Sequence, residues 1–186
     1  MTYHIDEDKL ICIQFMIYFD EKGIKMISNN DLVDHLINTG ALSSSNRTDA
    51  FAHVDMVDFV DDPTYPDVYG DYPLPIGHGQ TISQPTTVAM MLEMLQPHKG
   101  QKILDIGSGS GCTTALLSFI VEDEGSVTGL ERLSSLVEFG SRNSPKSGFT
   151  NSTIIPAGYA LGIPGEKFDR ILVSAAADEF PQELTK

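Results

Sequence analysis

The chain has 186 residues, of which 41% are hydrophobic, enough for one globular domain with its own core. Its formal net charge of −14 disfavours nucleic acids and anionic membranes as partners, because both would repel it. The two cysteines, Cys12 and Cys112, are too few and too far apart for a disulfide framework or a metal site. So few, widely separated cysteines suit a protein of the reducing cytoplasm.

The first notable segment is the apolar run "LICIQFMIYF" at residues 10–19. It is about half as long as an α-helical membrane crossing, so it cannot span a bilayer. The acidic "HIDEDK" before it is unlike the basic start of a signal peptide. We interpret the run as an extra strand or packing segment within an N-terminal extension, residues 1–28.

Helical patterns follow. Asn29 or Asn30 is predicted to cap a helix that ends at Gly40 and carries four apolar residues on one face, namely Leu32, Val33, Leu36 and Ile37. A second short helix is predicted at 46–54. A loop rich in Pro, Gly and Asp comes next, and a proline suited to the first helical position, Pro85, opens another helix.

The second half of the chain alternates strand and helix patterns. Helices are predicted to end near residues 122 and 142, and strands are predicted at 102–107, 126–131, 152–156 and 169–175. Such alternation is typical of βαβ units, so we expect an α/β fold with a doubly wound, mostly parallel sheet. The expected organisation is a helical region at 29–84 and an α/β domain at 85–186.

A glycine-rich turn is the main chemical signal. In "ILDIGSGSGCTTALL", Gly107, Gly109 and Gly111 follow a buried strand and open a helix, which predicts close approach of a nucleotide-like cofactor. Dinucleotide sites usually contain G-x-G-x-x-G, whereas this spacing is G-x-G-x-G and Cys112 follows it; that disfavours a dinucleotide-dependent oxidoreductase. Glu131 ends the next strand, where a carboxylate can accept both ribose hydroxyls.

Structural alternatives remain open at each of these positions. The glycines could simply pack a helix on a strand, with Asp105 as a capping or salt-bridging residue. Cys112 could be a small buried residue, and Ser83 could cap the helix that opens at Pro85. We assign no catalytic role to the scattered histidines, which lie at positions 4, 35, 53, 78 and 98.

Two resemblances narrow these alternatives. The pattern D-x-G-x-G-x-G from Asp105 resembles motif I of the class I S-adenosylmethionine-dependent methyltransferases. The segment "PLPIGHGQTISQP", residues 73–85, is here called the proline-glycine segment. Together with "LDIGSGSG" and "FDRILVSAAADEFP" it resembles the protein-L-isoaspartate O-methyltransferases, over about residue 29 to the end of the chain.

The resemblance implies roles for particular residues and involves no metal. Ser83 falls on the family's active-site serine, and the "AAA" at 175–177 falls on the turn after the fourth strand. The implied substrate-loop residues are Ile76, Gly77, Gln80, Thr81 and Ile82. The implied cofactor-binding residues are Asp105, Ile106, Gly107, Ser108, Gly109, Gly111, Glu131, Ala157 and Gly158.

The implied activity is methyl transfer from S-adenosylmethionine to the free carboxylate of isoaspartyl residues in damaged proteins, carried out by a monomer. Such a carboxylate, with a pKa of about 4, is already ionised at neutral pH and needs no general base. Ser83 and nearby backbone N–H groups are expected to position it. The alternatives are a catalytically impaired cofactor-binding remnant or a methyltransferase for another carboxylate.

The sequence departs from the family pattern in two places. Where many members carry G-D-G, with the acid serving the adenine amino group, this chain has Ala157, Gly158 and Tyr159. The chain also stops at Lys186, where the family normally continues into further strands, so we expect a fragment. With the family's strand order 3-2-1-4, the strand at 169–175 would be an open edge, unless a partner or the N-terminal apolar run covers it.

Overall fold

The computed structural model describes residues 10–12, 26–63, 65, 67–159, 161–175 and 184. Its strands are β1 Leu10–Cys12, β2 Leu74–Pro75, β3 Thr81–Ile82, β4 Lys102–Ile106, β5 Ser126–Glu131, β6 Ser152–Pro156 and β7 Arg170–Val173. Five of them form one sheet in the order β1-β7-β4-β5-β6, with every neighbouring pair parallel. The predicted α/β fold and the strand order expected for the last four strands are confirmed.

The strand β1 comes from the N-terminal apolar run. Leu10 pairs with Ile171 and Cys12 with Val173, so β7 lies between β1 and β4 rather than at the edge. The interpretation of the run as an extra strand is confirmed for residues 10–12, and residues 13–19 lie outside the described part. Of the alternatives for the strand at 169–175, its cover by the N-terminal apolar run is confirmed for residues 10–12, because β1 occupies the side of β7 that would otherwise be an open edge.

The described part of the chain contains five α-helices, and each contributes buried residues to the hydrophobic cluster on one face of this sheet. Their bounds are α1 Asn29–Asn38, α2 Ser45–His53, α3 Pro85–Leu95, α4 Cys112–Val121 and α5 Ser134–Asn143. Helix α3 begins at the predicted proline and buries Val88, Leu92 and Leu95. Each helix lies where the apolar periodicity predicted it, within two residues at most ends.

The start of α1 differs from the prediction. The N-cap is Ser28, whose hydroxyl accepts a hydrogen bond from the Asp31 N–H at 3.2 Å. Asn29 instead lies inside the helix and donates from its buried amide to the Phe51 carbonyl at 2.7 Å, which ties α1 to α2. The predicted stop is confirmed, because Gly40 follows the helix with a φ of +77°. Ile37 is 44% exposed and does not share the buried face.

Buried side chains continue from the N-terminal helices into the α/β part. Leu32, Phe51, Leu92 and Leu117 belong to one hydrophobic cluster that also takes in Ile103 from one face of the sheet. The next residue along β4 faces the opposite side, because side chains alternate along a strand. That side holds a second cluster: Leu104, Ile106, Leu130, Phe168, Ile171, Val173 and Leu184.

The capping of α1 gives a first test. Replacing Ser28 with Ala removes the acceptor for the Asp31 N–H and is expected to lower the free energy of unfolding by about 1 kcal/mol. Asn30 is exposed and serves as the matched control, so Asn30→Ala should change the value by less than about 0.5 kcal/mol. Urea unfolding measures both, and a larger effect at Asn30 would contradict the assignment.

Candidate functional site

Three of the five positions in the turn between β4 and α4 have a backbone conformation that suits glycine. Gly107, Gly109 and Gly111 have φ values of +87°, +54° and +88°, in the left-handed region that L side chains disfavour. A Cβ added to Gly107 would lie 2.9 Å from the Cβ of Ala175. The backbone can therefore turn sharply at the carboxyl end of β4 and leave space beside it.

The carboxylate of Glu131 is fixed at the end of β5. Its Oε2 accepts a hydrogen bond from the Gly109 N–H at 3.0 Å, and its Oε1 accepts one from the Leu133 N–H at 2.8 Å. Glu131 is 8% exposed and borders the open space beside the turn. Each oxygen keeps a second lone pair, so the carboxylate can still accept two hydroxyl groups of a ligand.

A cavity of about 420 Å³ occupies this space. Its wall combines the proline-glycine segment, the glycine turn and the carboxyl ends of four strands. The residues around it are Ile76, Gly79, Gln80, Thr81, Ser83, Ile106, Gly107, Gly109, Leu130, Glu131, Arg132, Leu133, Leu136, Ala157, Ser174 and Ala175. Its volume falls in the range of roughly 300–1,000 Å³ that is usual for small-molecule and cofactor sites.

The proline-glycine segment forms a tight hairpin at the cavity. Strands β2 and β3 pair antiparallel, and the turn closes with hydrogen bonds from the Ile76 N–H to the Gln80 carbonyl at 3.0 Å and from the Gln80 N–H to the Gly77 carbonyl at 2.9 Å. Gly77, His78 and Gly79 all have positive φ. Ile76 packs against the glycine turn, since its Cδ1 lies 3.2 Å from where a Cβ on Gly109 would stand.

Ser83 lies half-buried on the cavity wall at the end of this hairpin. The alternative that it caps α3 is wrong. Asp71 supplies the cap, because its Oδ1 accepts a hydrogen bond from the Thr86 N–H at 2.8 Å and its Oδ2 accepts one from the Thr86 hydroxyl at 2.7 Å. The Ser83 side chain is thus not needed to begin the helix.

Asp105 lies behind the cavity wall and is fully buried. Its carboxyl accepts hydrogen bonds from the Thr114 hydroxyl at 2.7 Å and the Ser174 hydroxyl at 3.2 Å. Burial raises the pKa of Asp105 to about 6, against the opposing effect of these two hydrogen bonds. Because Ser174 does border the cavity, Asp105 reaches the site through that hydroxyl.

The structure brings most of the predicted site residues to one cavity. Those outside its lining are Gly77, Ile82, Asp105, Ser108, Gly111 and Gly158. The lining residues that the site prediction missed are Gly79, Leu130, Arg132, Leu133, Leu136 and Ser174. Leu133 and Leu136 come shortly after the end of β5, and Ser174 directly follows β7, so their position after strand ends was an available signal.

Cys112 is a buried packing residue. Its sulfur lies 3.8 Å from the Met56 sulfur, and burial raises the pKa of the thiol to about 12. Within the described part of the chain no cluster of His, Cys, Asp and Glu could hold a metal ion. No helix among the described residues is long and apolar enough to cross a membrane.

Comparison with known proteins identifies the family. The family model of protein-L-isoaspartate(D-aspartate) O-methyltransferase matches residues 27–186. The chain belongs to the protein-L-isoaspartate O-methyltransferase family. It is 38% identical over 155 residues to the enzyme of that name from Methanopyrus kandleri, and 38% identical over 157 residues to the one from Aeropyrum pernix. These alignments cover 82% and 83% of this chain but 69% and 60% of the relatives.

Solved structures of the family agree with the fold. One protein-L-isoaspartate O-methyltransferase structure superposes with a TM-score of 0.75 at 28% identity, covering 83% of this chain and 50% of that one. A second, from Plasmodium falciparum and in complex with S-adenosyl-L-homocysteine, gives a TM-score of 0.75 at 27% identity and covers 86% and 78%. The family resemblance inferred from the sequence is confirmed.

Asp105 makes stability depend on pH. Since its pKa rises from 3.8 to about 6 on folding, the folded state holds the proton more tightly than the unfolded chain between about pH 4 and 6. This stabilisation is complete below about pH 4 and is lost as the pH rises through about 6. The variant Asp105→Asn has no carboxyl group to titrate and lacks this stabilisation. Urea unfolding should therefore show that the free energy of unfolding of the unaltered protein, measured relative to the variant, falls between about pH 4 and pH 6. Parallel profiles would contradict the burial of an ionisable group.

Proposed function

We propose that this protein transfers a methyl group from S-adenosylmethionine to the free carboxylate of L-isoaspartyl residues in damaged proteins. One observation carries the proposal: the proline-glycine segment and the glycine turn border the same cavity. The substrate-loop residues implied by the family resemblance therefore adjoin the implied cofactor residues. A carboxylate held near Ser83 would lie beside a cofactor held near Glu131.

The cavity fits S-adenosylmethionine in three respects. Glu131 keeps two acceptor positions for the ribose hydroxyls, and the turn at Gly107 and Gly109 leaves room for backbone contact. Leu133 and Leu136 offer an apolar wall for the adenine. The acid that many family members place after the third strand is absent, because Gly158 stands at its position. We therefore assign the adenine amino group to backbone acceptors of the same loop, in which Ala157 borders the cavity.

The cofactor supplies a methyl group activated by its positive sulfonium, so this chain's residues need only hold and align the acceptor. The isoaspartyl carboxylate is ionised at neutral pH, and no base is required. In our proposal the Ser83 hydroxyl donates a hydrogen bond to one carboxylate oxygen and leaves the other free to attack. The hairpin covers the site and limits water, and such alignment can supply roughly 7–11 kcal/mol of the barrier reduction.

The remaining parts of the proposal concern setting and partners. We propose isoaspartyl-containing proteins and peptides as substrates of a monomeric, cytoplasmic enzyme. The net charge of −14 supports the exclusion of nucleic acids and membranes as partners.

The cofactor half of the proposal is tested at Glu131. Glu131→Gln removes the negative charge and one acceptor oxygen, so the Kd of S-adenosylhomocysteine is expected to rise about ten- to a hundred-fold. Glu138→Gln on α5 is the matched control, because that side chain is exposed and does not border the cavity. Calorimetric titration measures both, and equal Kd values for the two variants would overturn the assignment of Glu131.

The substrate half is tested by transfer of a labelled methyl group to paired peptides that differ only in isoaspartate against aspartate at one site. We expect labelling of the isoaspartyl peptide alone. Ser83→Ala should lower kcat/KM about tenfold or more, since a hydrogen bond to a charged group is lost. Ser43→Ala, at an exposed serine that does not border the cavity, should leave kcat/KM unchanged. Labelling of neither peptide by a protein that binds S-adenosylhomocysteine would favour the impaired remnant instead.

A further inference from the structure

We propose that Asp71 is a positioning residue, which fixes the proline-glycine segment over the cavity and thereby aligns the acceptor carboxylate. This role rests on the methyltransferase function proposed above. Asp71 does not border the cavity, so it acts through the residues that do.

Asp71 joins the two ends of the segment. Its carboxylate accepts hydrogen bonds from the Thr86 N–H at 2.8 Å and from the Thr86 hydroxyl at 2.7 Å. Its backbone carbonyl accepts one from the Gln84 side-chain amide at 3.0 Å. The chain that leaves Asp71 therefore returns to it thirteen to fifteen residues later, and everything between is a closed loop.

The same carboxylate also connects this loop to the N-terminal helices. Nε2 of His35 on α1 lies 3.4 Å from Oδ2 of Asp71, with the two side chains only 13% and 7% exposed. Helix α1 is anchored in the core by Leu32 and Leu36, both fully buried. Asp71 thus holds the base of the loop against two rigid elements, α1 and the first turn of α3.

The closed loop contains the cavity residues that the described part of the N-terminal half contributes: Ile76, Gly79, Gln80, Thr81 and Ser83. The hairpin bonds fix residues 74–82 relative to one another but not relative to α3. Ser83 lies between β3 and the Gln84 side chain held by Asp71, so its hydroxyl is placed by both. Because misplacing an aligning group by about 1 Å can cost about a hundred-fold in rate, the bonds of Asp71 have a direct kinetic consequence.

A purely structural cap predicts different kinetics. If Asp71 only stabilised the fold, its loss would reduce the number of folded molecules. The number of cofactor-binding sites would fall in the same proportion as kcat, and the molecules that remain folded would have an unchanged KM. If it positions the segment, every molecule would bind the cofactor normally but align the peptide poorly.

The test compares Asp71→Asn with Asp67→Asn, an exposed aspartate that lies shortly before the closed loop. An asparagine cannot accept both Thr86 hydrogen bonds through two oxygens. We expect D71N to raise KM for the isoaspartyl peptide and lower kcat/KM about ten- to a hundred-fold. Its Kd for S-adenosylhomocysteine, and its number of binding sites, should match those of D67N and the unaltered protein.

Thr86→Val provides a second, milder variant. It removes only the hydroxyl and leaves the backbone N–H bond to Asp71, so a smaller change in KM in the same direction is expected, even if D71N does not fold.

If KM and kcat of both variants equal those of the unaltered protein, the positioning role of Asp71 is overturned, while the proposed methyltransferase function stands. A fall in kcat at constant KM with equal loss of cofactor sites would overturn it too. An unaltered protein that binds S-adenosylhomocysteine but methylates no isoaspartyl peptide would overturn the function and this role with it.

Discussion

The site depends on one steric constraint, the absence of a side chain at three positions of the turn after β4, namely Gly107, Gly109 and Gly111. A Cβ on Gly107 would meet Ala175 at the end of β7, and one on Gly109 would lie 3.2 Å from Ile76. A Cβ on Gly111 would lie 3.0 Å from Ile154 on β6. Ala175, Ile76 and Ile154, from three separate parts of the chain, therefore each lie where a side chain on the turn would collide with them. Because these three residues can pack closely against the backbone of the turn, the space beside it stays open as the cavity.

Two carboxyl groups near this turn do different work because their surroundings differ. Asp105 sits in the interior and is held by the hydroxyls of Thr114 and Ser174, so it braces the turn from behind. Glu131 faces the cavity and is oriented by two backbone N–H groups, one of them from the turn itself. One acid thus supports the backbone, while the other presents oxygen atoms to a ligand. Both carboxyl groups are buried, but Glu131 ends β5 and borders the cavity, whereas Asp105 lies one residue before the end of β4 and does not.

Much of the fold and part of the site could be predicted from the sequence. The alternation of strands and helices and the G-x-G-x-G turn are local patterns that can be read from the sequence. The family resemblance indicated a role for the proline-glycine segment at the site. The N-cap was less predictable, because Ser28 and Asn29 are both good caps and only the bond of Asn29 to Phe51 decides between them. The role of Asp71 was missed for a similar reason. Its partners Thr86 and His35 belong to two different helices, and no short sequence motif predicts contacts between residues so far apart in the chain.

The pairing of β1 with β7 has a consequence for how the molecule forms. Leu10 in β1 pairs with Ile171 in β7, so this ladder closes a loop of chain that contains β4, β5 and β6. Closing so long a loop costs more entropy than any other pairing in the sheet, and it gains little until β4 and β7 are already side by side. During synthesis, β1 must also wait unpaired until its partner has emerged. We therefore expect the sheet to form outward from its centre, with the N-terminal strand β1 pairing last.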